Sequence, residues 1–365
     1  MLGRRETPVD GPSFGILMTV FHRAGFYRDA LESVAAQSGS LPPVELVVVS
    51  SSDMSVEVPV TLRARGWKCQ VLKNDSVGEG PFLAPGLERL GTDFILPLDD
   101  DDIWEPGRLA HVADVLRQHP GASYYHNGQS FVDALGAPLP PDRALRGLRR
   151  LSGVPQGGLR ALSHEDLRRH RGGLSRWGSV FNNSSVAIRR RALTSCLDEL
   201  SRAEWLFDLF MFYAGVCDGE QVLFDSSPQT RYRIHAWNRS RGAQTLGRFE
   251  SATPSRSREG RLATLAVLHE MVARRGPSWL LDWVSHDQVY FDALEALREG
   301  DSDRLETARR VGRLIRYVGY SDPLMNLVLG LTSLAQLATP QLVSRAYWTK
   351  DGVDRRAGSP ASEAK

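Results

Sequence analysis

The sequence predicts an α/β fold, with a mainly parallel, Rossmann-like sheet, helices on both of its faces, and an all-helical C-terminal extension. Three continuous apolar runs, at residues 14–21, 44–49 and 94–98, are typical of strands that are buried on both faces. Stretches with helical spacing separate these runs, and that alternation indicates parallel strands joined by crossover helices. From residue 260 to residue 348 the periodicity is helical throughout, which predicts the extension.

The elements of the first half follow one another regularly. The predicted order is strand 14–21, helix 24–37, strand 44–49, strand 69–72, helix 80–90, strand 94–98 and helix 108–117. Pro85 falls inside the helix at 80–90 and should bend or shorten it, because proline has no N–H to donate. These elements form the parallel part of the predicted sheet.

The second half has a less regular pattern. Asn127-Gly128 lies between short apolar stretches at 123–126 and 130–134, and this dipeptide favours a two-residue hairpin turn. The remaining predictions are strand 180–188, helices 190–200 and 204–214, and short strands 221–224 and 230–234. The helical extension should break at Gly276-Pro277.

Composition divides the chain into segments. Residues 1–13 predict a flexible N-terminus, 14–250 the α/β domain, 258–350 the helical region and 351–365 a disordered polar tail. Within the α/β domain, residues 137–177 lack a clear period and hold nine arginines against three acidic residues. A lid over an anionic substrate and a solvated basic surface are equally compatible with that composition.

The overall composition excludes several classes of protein. The 365 residues are 42% hydrophobic and carry a formal net charge of only +2, and no nucleic-acid-binding motif occurs, so we expect no nucleic-acid partner. The three cysteines lie far apart, which argues against a disulfide framework and indicates a reducing compartment. Because no signal peptide or membrane-spanning run is found, we expect a cytoplasmic protein.

Four consecutive carboxylates, Asp99 to Asp102, directly follow the apolar run at 94–98. In open α/β sheets, ligands bind beyond the carboxyl ends of the strands. Neighbouring anions raise one another's pKa unless a cation intervenes. One aspartate could cap the helix expected near Glu105-Pro106, but a cap does not account for four. Because hard oxygen ligands favour Mg²⁺ or Mn²⁺, the cluster predicts a divalent-cation site.

Four segments occur in the order of one known family. They are FGILMTVFHRAGFYRDALESVAAQ at 14–37, VELVVVSSSD at 44–53, FILPLDDDDIWEPGRL at 94–109 and RYRIHAWNRS at 231–240. Together they resemble the family 2 glycosyltransferases, which are inverting enzymes of the GT-A fold. The third segment is similar to the metal-binding Asp-x-Asp segment of that family. The resemblance therefore implies a GT-A domain that uses a nucleoside-diphosphate sugar as donor.

The resemblance also implies roles within the acidic segment. Asp99 should face the ribose of the donor, Asp101 should coordinate Mn²⁺ or Mg²⁺, and Asp102 should support it. Asp100 takes the variable position of the motif and is placed with the donor-contacting residues. His235 resembles a histidine that completes the metal or diphosphate site, although an isolated histidine is often structural.

The donor-side residues that the resemblance implies lie at the ends of the first three strands and in the last motif. They are Thr19, Phe21, His22, Ser50, Ser51, Asp53, Asp75 and Arg233. Ser50 and Ser51 stand where relatives often carry an aspartate pair, so the identity of the nucleobase stays open. Asp75 suits a turn equally well, and Arg233 suits either a diphosphate contact or a surface salt bridge.

Inversion at the anomeric carbon needs a base that takes a proton from the acceptor. Family members often carry an Asp-Trp pair at the start of a helix, and Glu204-Trp205 resembles it, so Glu204 is the first candidate. Asp208, four residues later on the same predicted helix face, is the second. Asn182-Asn183 falls at the acceptor-side loop, where side-chain amides suit sugar hydroxyls and an ordinary turn equally.

The implied function is metal-dependent, inverting transfer of a sugar to an acceptor that the sequence does not identify. A glycan, a lipid-linked sugar, a peptide and a small natural product all remain open. The alternatives are a nucleotide-sugar-binding protein without turnover and, less favoured, a sugar nucleotidyltransferase. An apolar stripe at 324–334 predicts either a homodimer through the C-terminal helices or packing in the core, with peripheral contact to the inner face of the membrane as a further alternative.

Overall fold

A computed structural model describes residues 11–21, 25–139, 157–169, 182–235 and 254–299, together with residues 306, 309, 312 and 313. Several predictions therefore lie outside the described residues. These concern His22, most of the basic insertion at 137–177, the tail at 351–365 and the stripe at 324–334. No helix in the described ranges is both long and apolar enough to cross a membrane.

The described chain alternates strands and helices through its first half, as predicted. The strands are β1 (Phe14–Val20), β2 (Val44–Ser50), β3 (Lys68–Lys73), β4 (Phe94–Leu98), β5 (Ile103–Trp104), β6 (Ala122–Val132), β7 (Leu159–Ser163), β8 (Val186–Arg189) and β9 (Gln221–Arg233). The helices are α1 (Tyr27–Ala35), α2 (Val60–Ala64), α3 (Glu79–Arg89), α4 (Arg108–Gln118), α5 (His164–Arg169), α6 (Arg190–Thr194), α7 (Leu197–Leu200), α8 (Phe207–Asp218), α9 (Pro254–Arg275) and α10 (Ser278–Glu299).

The strands form one mixed sheet in the order β3-β2-β1-β4-β8-β6-β9-β5, and β7 pairs with β9. The first four strands of this order are parallel, which confirms the predicted α/β class. Val20 pairs with Ser50, and Met18 pairs with Leu98, so the carboxyl ends of β1, β2 and β4 meet at one edge. The Asp99 to Asp102 cluster lies at that edge.

The sheet is buried on both faces, and each face packs against its own layer of helices. Ile16 and Met18 contribute to a core with α1 and α4, whereas Leu17 between them contributes to the core on the opposite face. This alternation explains why β1 reads as a continuous apolar run. The second core also includes Leu268 of α9 and Trp283 of α10, so the described C-terminal helices extend the core of the α/β domain.

The predicted hairpin at Asn127-Gly128 is wrong. Both residues lie inside the continuous strand β6, at irregularities in its pairing with β9. The Asn127 side chain is buried and donates to Thr230 Oγ1 at 3.0 Å, so it stabilises the interior instead of a solvent-exposed turn. A Cβ at Gly128 would lie 2.6 Å from the carbonyl oxygen of Ser226, so the bulge requires a residue without a side chain.

The predicted helix at 204–214 begins later than expected. The structure starts α8 at Phe207, after Leu206, which has a positive φ of 59°. This residue turns the chain by a conformation that a continuing helix does not allow. Glu204 therefore lies in the preceding loop, and the expectation that it shares a helix face with Asp208 is wrong.

Candidate functional site

Three carboxylates cluster in the loop that follows β4. Asp99, Asp101 and Asp102 each offer an oxygen, and these oxygens all lie within 4.8 Å of one another. The parallel pairing of β1 with β4 brings Thr19 to the same edge, and its hydroxyl donates to Asp99 at 3.4 Å. The backbone N–H of Asp99 donates to Ser184 Oγ at 3.0 Å, which anchors the start of the loop.

Asp100 is turned away from the other three carboxylates. Its side chain is fully buried and accepts the backbone N–H of Phe21 at 3.0 Å. Asp100 thus ties the acidic loop to the end of β1. This contact gives Asp100 a different environment from Asp99, Asp101 and Asp102. The sequence had put Asp100 at the variable position of the motif and among the donor-contacting residues.

The last predicted motif lies against the acidic loop. His235 Nε2 is 3.0 Å from the Asp101 carboxylate, and the His235 ring lies beside Phe26 with 4.6 Å between centroids. Because both side chains of the pair are almost buried, the imidazole limits the directions in which Asp101 can point. His235 and Asp101 are therefore brought together, as the resemblance implied.

Arg233 is a buried support of the acidic loop. Its guanidinium donates to the backbone oxygen of Asp101 at 2.8 Å, to that of Ala134 at 2.8 Å and to the carboxylate of Asp29 at 2.7 Å. Arg233 thus forms a salt bridge, as one of its two predicted roles required, but its own side chain is only 1% exposed and its partner Asp29 is half-exposed. The backbone N–H of Arg233 donates to Asp102 at 3.1 Å, which fixes a second point of the loop.

The electrostatics of the acidic loop favour a cation. Burial, together with the charges of Asp101 and Asp99, raises the pKa of Asp102 well above its ordinary value. The three residues supply only hard oxygen donors, and these are the ligands that Mg²⁺ and Mn²⁺ prefer. The donor set therefore fits a divalent cation, as the sequence predicted.

The donor side of the edge is built from the ends of β2 and β3. Ser50 and Ser51 are fully buried. Lys73 donates to Ser50 Oγ at 3.0 Å and to the backbone oxygen of Ser51 at 3.2 Å, a contact that sequence reasoning missed. The signal for it is the pairing of Ser50 with Lys73 at the ends of the two strands. Asp53 lies nearby and is exposed.

Asp75 lies across from this loop and beside a cleft. Its carboxylate accepts the backbone N–H of Ser52 at 2.8 Å and also bonds the Ser52 hydroxyl, so it closes the turn that the sequence gave as one of two roles. The adjoining cleft has a volume of about 380 Å³. It is lined by Phe21, Asp75, Ser76, Val77, Gly78, Glu204 and Trp205. Donor-side and base-candidate residues thus share one cavity.

Glu204 lies on the exposed side of this cleft. Its backbone oxygen accepts the N–H of Glu79 at 2.8 Å, so the segment before α8 is tied to the start of α3. Gly78 has a φ of 98°, and a Cβ there would lie 2.7 Å from the Cα of Glu204. The two segments therefore approach as closely as their backbones permit.

Asp208 occupies the first turn of α8. Burial, and secondarily the charge of Glu79, raises the pKa of Asp208 to about 7. The backbone N–H groups of Leu209 and Asn182 donate to the Asp208 carboxylate and oppose that rise, while the charge of Asp99 adds to it. Asp208 is thus a carboxylate near the acidic loop with a pKa suited to proton transfer near neutral pH.

The loop from Asn182 to Ser184 connects the acidic cluster to Asp208. The Asn183 side-chain amide lies 3.4 Å from both carboxylate oxygens of Asp99. Asn182 has a positive φ of 77°, and its side-chain oxygen accepts the backbone N–H of Ser184 at 2.9 Å. The sequence predicted that this loop lies on the acceptor side. It did not predict that the loop contacts both Asp99 of the acidic cluster and Asp208.

Comparisons with known proteins agree with this geometry. Residues 15–170 match the sequence model of the family described as Glycosyl transferase family 2. Residues 15–170 of this chain therefore resemble a family 2 glycosyltransferase domain. An uncharacterized glycosyltransferase from Rickettsia felis (strain ATCC VR-1525 / URRWXCal2) is 26% identical over 144 residues. That match covers 38% of this chain and 23% of the relative, so this chain spans about a quarter of the relative's length.

Solved structures confirm the GT-A fold. Two structures of S. aureus TarS residues 1–349, in complex with UDP and with UDP-GlcNAc, each cover 93% of this chain and 92% of their own. Each has a TM-score of 0.54 and 12% sequence identity to this chain. At that identity the likeness shows the fold alone. The resemblance that the four sequence segments predicted is therefore confirmed.

Proposed function

We propose that this protein is a metal-dependent, inverting glycosyltransferase that moves a sugar from a nucleoside-diphosphate sugar to an acceptor in a single displacement. The observation that carries the proposal is the loop that joins the acidic cluster to Asp208. Asn183 contacts Asp99, the Asn182 N–H contacts Asp208, and the charge of Asp99 acts on the Asp208 carboxyl. One short segment thus links the proposed leaving-group side to the candidate base.

The residues that would hold the cation are Asp101, Asp102 and Asp99. When bound, Mg²⁺ or Mn²⁺ supplies Lewis-acid stabilisation for the negative charge that develops on a departing diphosphate. His235 holds the Asp101 carboxylate, and Arg233 holds the backbone of the acidic loop from behind. The protein's own contribution is a set of oxygen donors whose positions are fixed before the substrate arrives.

Asp208 is the favoured base, and Glu204 becomes the alternative. A base must be a proton acceptor at the operating pH and must lie close to the reacting groups. The raised pKa of Asp208 meets the first condition, and its interaction with Asp99 supports the second. Glu204 is exposed and precedes α8, so its carboxylate is less confined. In the proposed reaction, Asp208 accepts the proton of the acceptor nucleophile as the new glycosidic bond forms.

The donor is proposed to be a nucleoside-diphosphate sugar because the cluster lies at the carboxyl edge of a parallel sheet. Phe21 and Asp75, which line the cleft, would face the nucleoside, while the buried Ser50 and Ser51 would support the loop beside it. The TarS complexes with UDP and UDP-GlcNAc are consistent with such a ligand at this fold. Lys73 reinforces the backbone of that loop.

A thermal-shift experiment tests donor and metal binding together. UDP, GDP, ADP and CDP are each added with Mn²⁺ or with EDTA, and at least one should raise the melting temperature only when Mn²⁺ is present. Asp101→Asn should remove this stabilisation. Asp114→Asn, at an exposed position of α4, is the matched control and should retain it. If no diphosphate stabilises the wild type in a metal-dependent way, the proposal is wrong.

Donor hydrolysis and transfer separate an enzyme from a binding protein of the same fold. Asp208→Asn should keep metal-dependent diphosphate binding and lower turnover by roughly 10²- to 10⁴-fold, the usual contribution of general base catalysis. Glu204→Gln should lower it far less. If Glu204→Gln lowers turnover far more than Asp208→Asn, Glu204 is the base. If the wild type binds diphosphates but turns over none of the donors, the non-catalytic alternative is favoured.

A further inference from the structure

Asn182 and Asn183 carry buried polar atoms that the fold does not use. Asn182 is 6% exposed, and its side-chain nitrogen has no hydrogen-bond partner in the part of the chain that the structure describes. The side-chain oxygen of Asn183 is also buried and, within the same described ranges, lacks a partner. A buried amide group without a partner is costly, so each atom is a candidate contact for a bound group.

A turn role explains only part of the Asn182 side chain. Its oxygen accepts the Ser184 N–H, which is the usual contact of an asparagine that closes a short turn. A serine or an aspartate could make the same contact with an oxygen alone. The turn does not need the amide nitrogen of Asn182, and this nitrogen is the atom that is buried without a hydrogen-bond partner in the described residues.

The position of the two amides narrows the choice of ligand. Asn183 contacts Asp99, which we place on the leaving-group side, and the Asn182 N–H contacts Asp208, which we place on the acceptor side. In a single displacement, the leaving group, the anomeric carbon and the nucleophile lie roughly in line. A ligand that lies between the leaving-group side and the base is therefore the sugar that is transferred.

We infer that Asn182 and Asn183 form a binding site for hydroxyl or amide substituents on the transferred sugar ring. The Asn182 nitrogen donates to a ring substituent, and the Asn183 oxygen accepts from one. Both groups are neutral, so they suit an uncharged sugar beside the two carboxylates that the loop contacts, Asp99 and Asp208. This inference rests on the proposed function, since it presumes that the donor binds at the acidic loop.

The loop geometry is consistent with a rigid site. Asn182 adopts a φ of 77° and a ψ of 112°, a conformation that costs free energy for any residue with a Cβ. The Asp99 N–H, which donates to Ser184 Oγ, and the Trp104 indole, which donates to the Ser184 backbone oxygen at 2.8 Å, hold the loop in place. The amides are therefore presented by an anchored segment and not by a free chain.

Two variants of Asn182 separate the side chain from the backbone. Asn182→Gly removes the amide and relieves the positive φ, whereas Asn182→Ala removes the amide and keeps the unfavourable conformation. Asn183→Ala removes the second amide at a position without positive φ. Circular dichroism and melting temperature establish that each variant is folded before binding is measured.

The experiment is calorimetric titration with Mn²⁺ present. The probes are UDP, UDP-glucose, UDP-N-acetylglucosamine, GDP and GDP-mannose. At least one sugar nucleotide should bind the wild type more tightly than its own diphosphate. Asn182→Gly and Asn183→Ala should each weaken that sugar nucleotide roughly three- to tenfold, the effect of one neutral hydrogen bond, and leave the diphosphate unchanged.

Each outcome has a defined meaning. If Asn182→Ala weakens binding of the sugar nucleotide and Asn182→Gly does not, the loss comes from the strained backbone conformation and not from the missing amide. The inference is then wrong. The inference is also overturned if diphosphates bind but no sugar nucleotide in the set binds the wild type more tightly, or if the variants match the wild type. Failure of every diphosphate to bind instead removes the proposed function, and the inference with it.

Discussion

Replacing Asp208 with asparagine should make the free protein more stable at alkaline pH while it removes activity. The pKa of the Asp208 carboxyl rises from 3.8 to about 7, chiefly because of burial and then because of Glu79. An asparagine of nearly the same shape keeps an oxygen for the Leu209 N–H but carries no charge. The substitution therefore isolates the cost of a buried anion.

The sign of the pH effect follows from proton binding. Between about pH 4 and pH 7 the folded protein keeps the Asp208 proton that the unfolded chain has released, so raising the pH through this window destabilises the folded state. Each pH unit inside the window costs about 1.36 kcal/mol. From about pH 5 to pH 7 the wild type should therefore lose about 2 kcal/mol that the variant does not lose, and most of the remaining loss falls before pH 8.

Urea unfolding at several pH values, in EDTA, measures this difference. Near pH 5 the variant should be less stable than the wild type by about 1 kcal/mol, because its NH₂ group cannot accept the Asn182 N–H. Near pH 8 the order should reverse, and the total swing should be about 3 kcal/mol. The matched control is Asp114→Asn, whose carboxylate is exposed.

A flat difference would contradict this account. If the stability of Asp208→Asn relative to the wild type changes by less than about 0.5 kcal/mol between pH 5 and pH 8, Asp208 does not titrate with a raised pKa in the folded protein. A swing of the same size in Asp114→Asn would show that the effect is global. Either result would remove the electrostatic argument for Asp208 as the base.

Three further predictions concern the residues around the site. Asp100→Ala should lower the melting temperature yet preserve Mn²⁺-dependent diphosphate binding, since it removes the acceptor that bonds the backbone at the end of β1; loss of binding would place Asp100 among the ligands. Arg233→Met should cost about 3–5 kcal/mol in urea unfolding because it leaves buried oxygens unpaired, whereas Arg231→Met, at a half-exposed pair, should cost under about 1 kcal/mol. Equal losses would contradict the buried-support role. Glu79→Gln should lower the pKa of Asp208, so the acidic limb of the pH–activity profile should move to lower pH; an unmoved limb would show that this charge does not act on the base.

The sequence was sufficient for the parallel half of the fold. The runs that became β1, β2 and β4 are almost entirely apolar because both faces of these strands are covered, and that pattern is local. It was not sufficient for β6 and β9. Asn127-Gly128 has the composition of a hairpin turn, but a parallel partner strand and a buried contact with Thr230 overrode that local preference.

The choice between base candidates could not be made from the sequence. Spacing alone put Glu204 and Asp208 on one helix, because nothing near Leu206 signals a break in helical periodicity. The structure separates them through the positive φ of Leu206 and through Glu79, which accepts the Phe207 N–H from 128 residues away in the sequence. Burial of Asp208 depends on such distant partners, and burial is what raises its pKa.

The sequence by itself determined that four carboxylates end a buried strand and that this segment resembles the acidic segment of the family 2 glycosyltransferases, since both are properties of a short, contiguous stretch. Only the tertiary structure decided how the four divide. Asp100 points to the N–H of Phe21, and Asp102 is held by the N–H of Arg233. The direction of a side chain is set by partners from other strands, and adjacent aspartates carry no record of those partners in their order along the chain.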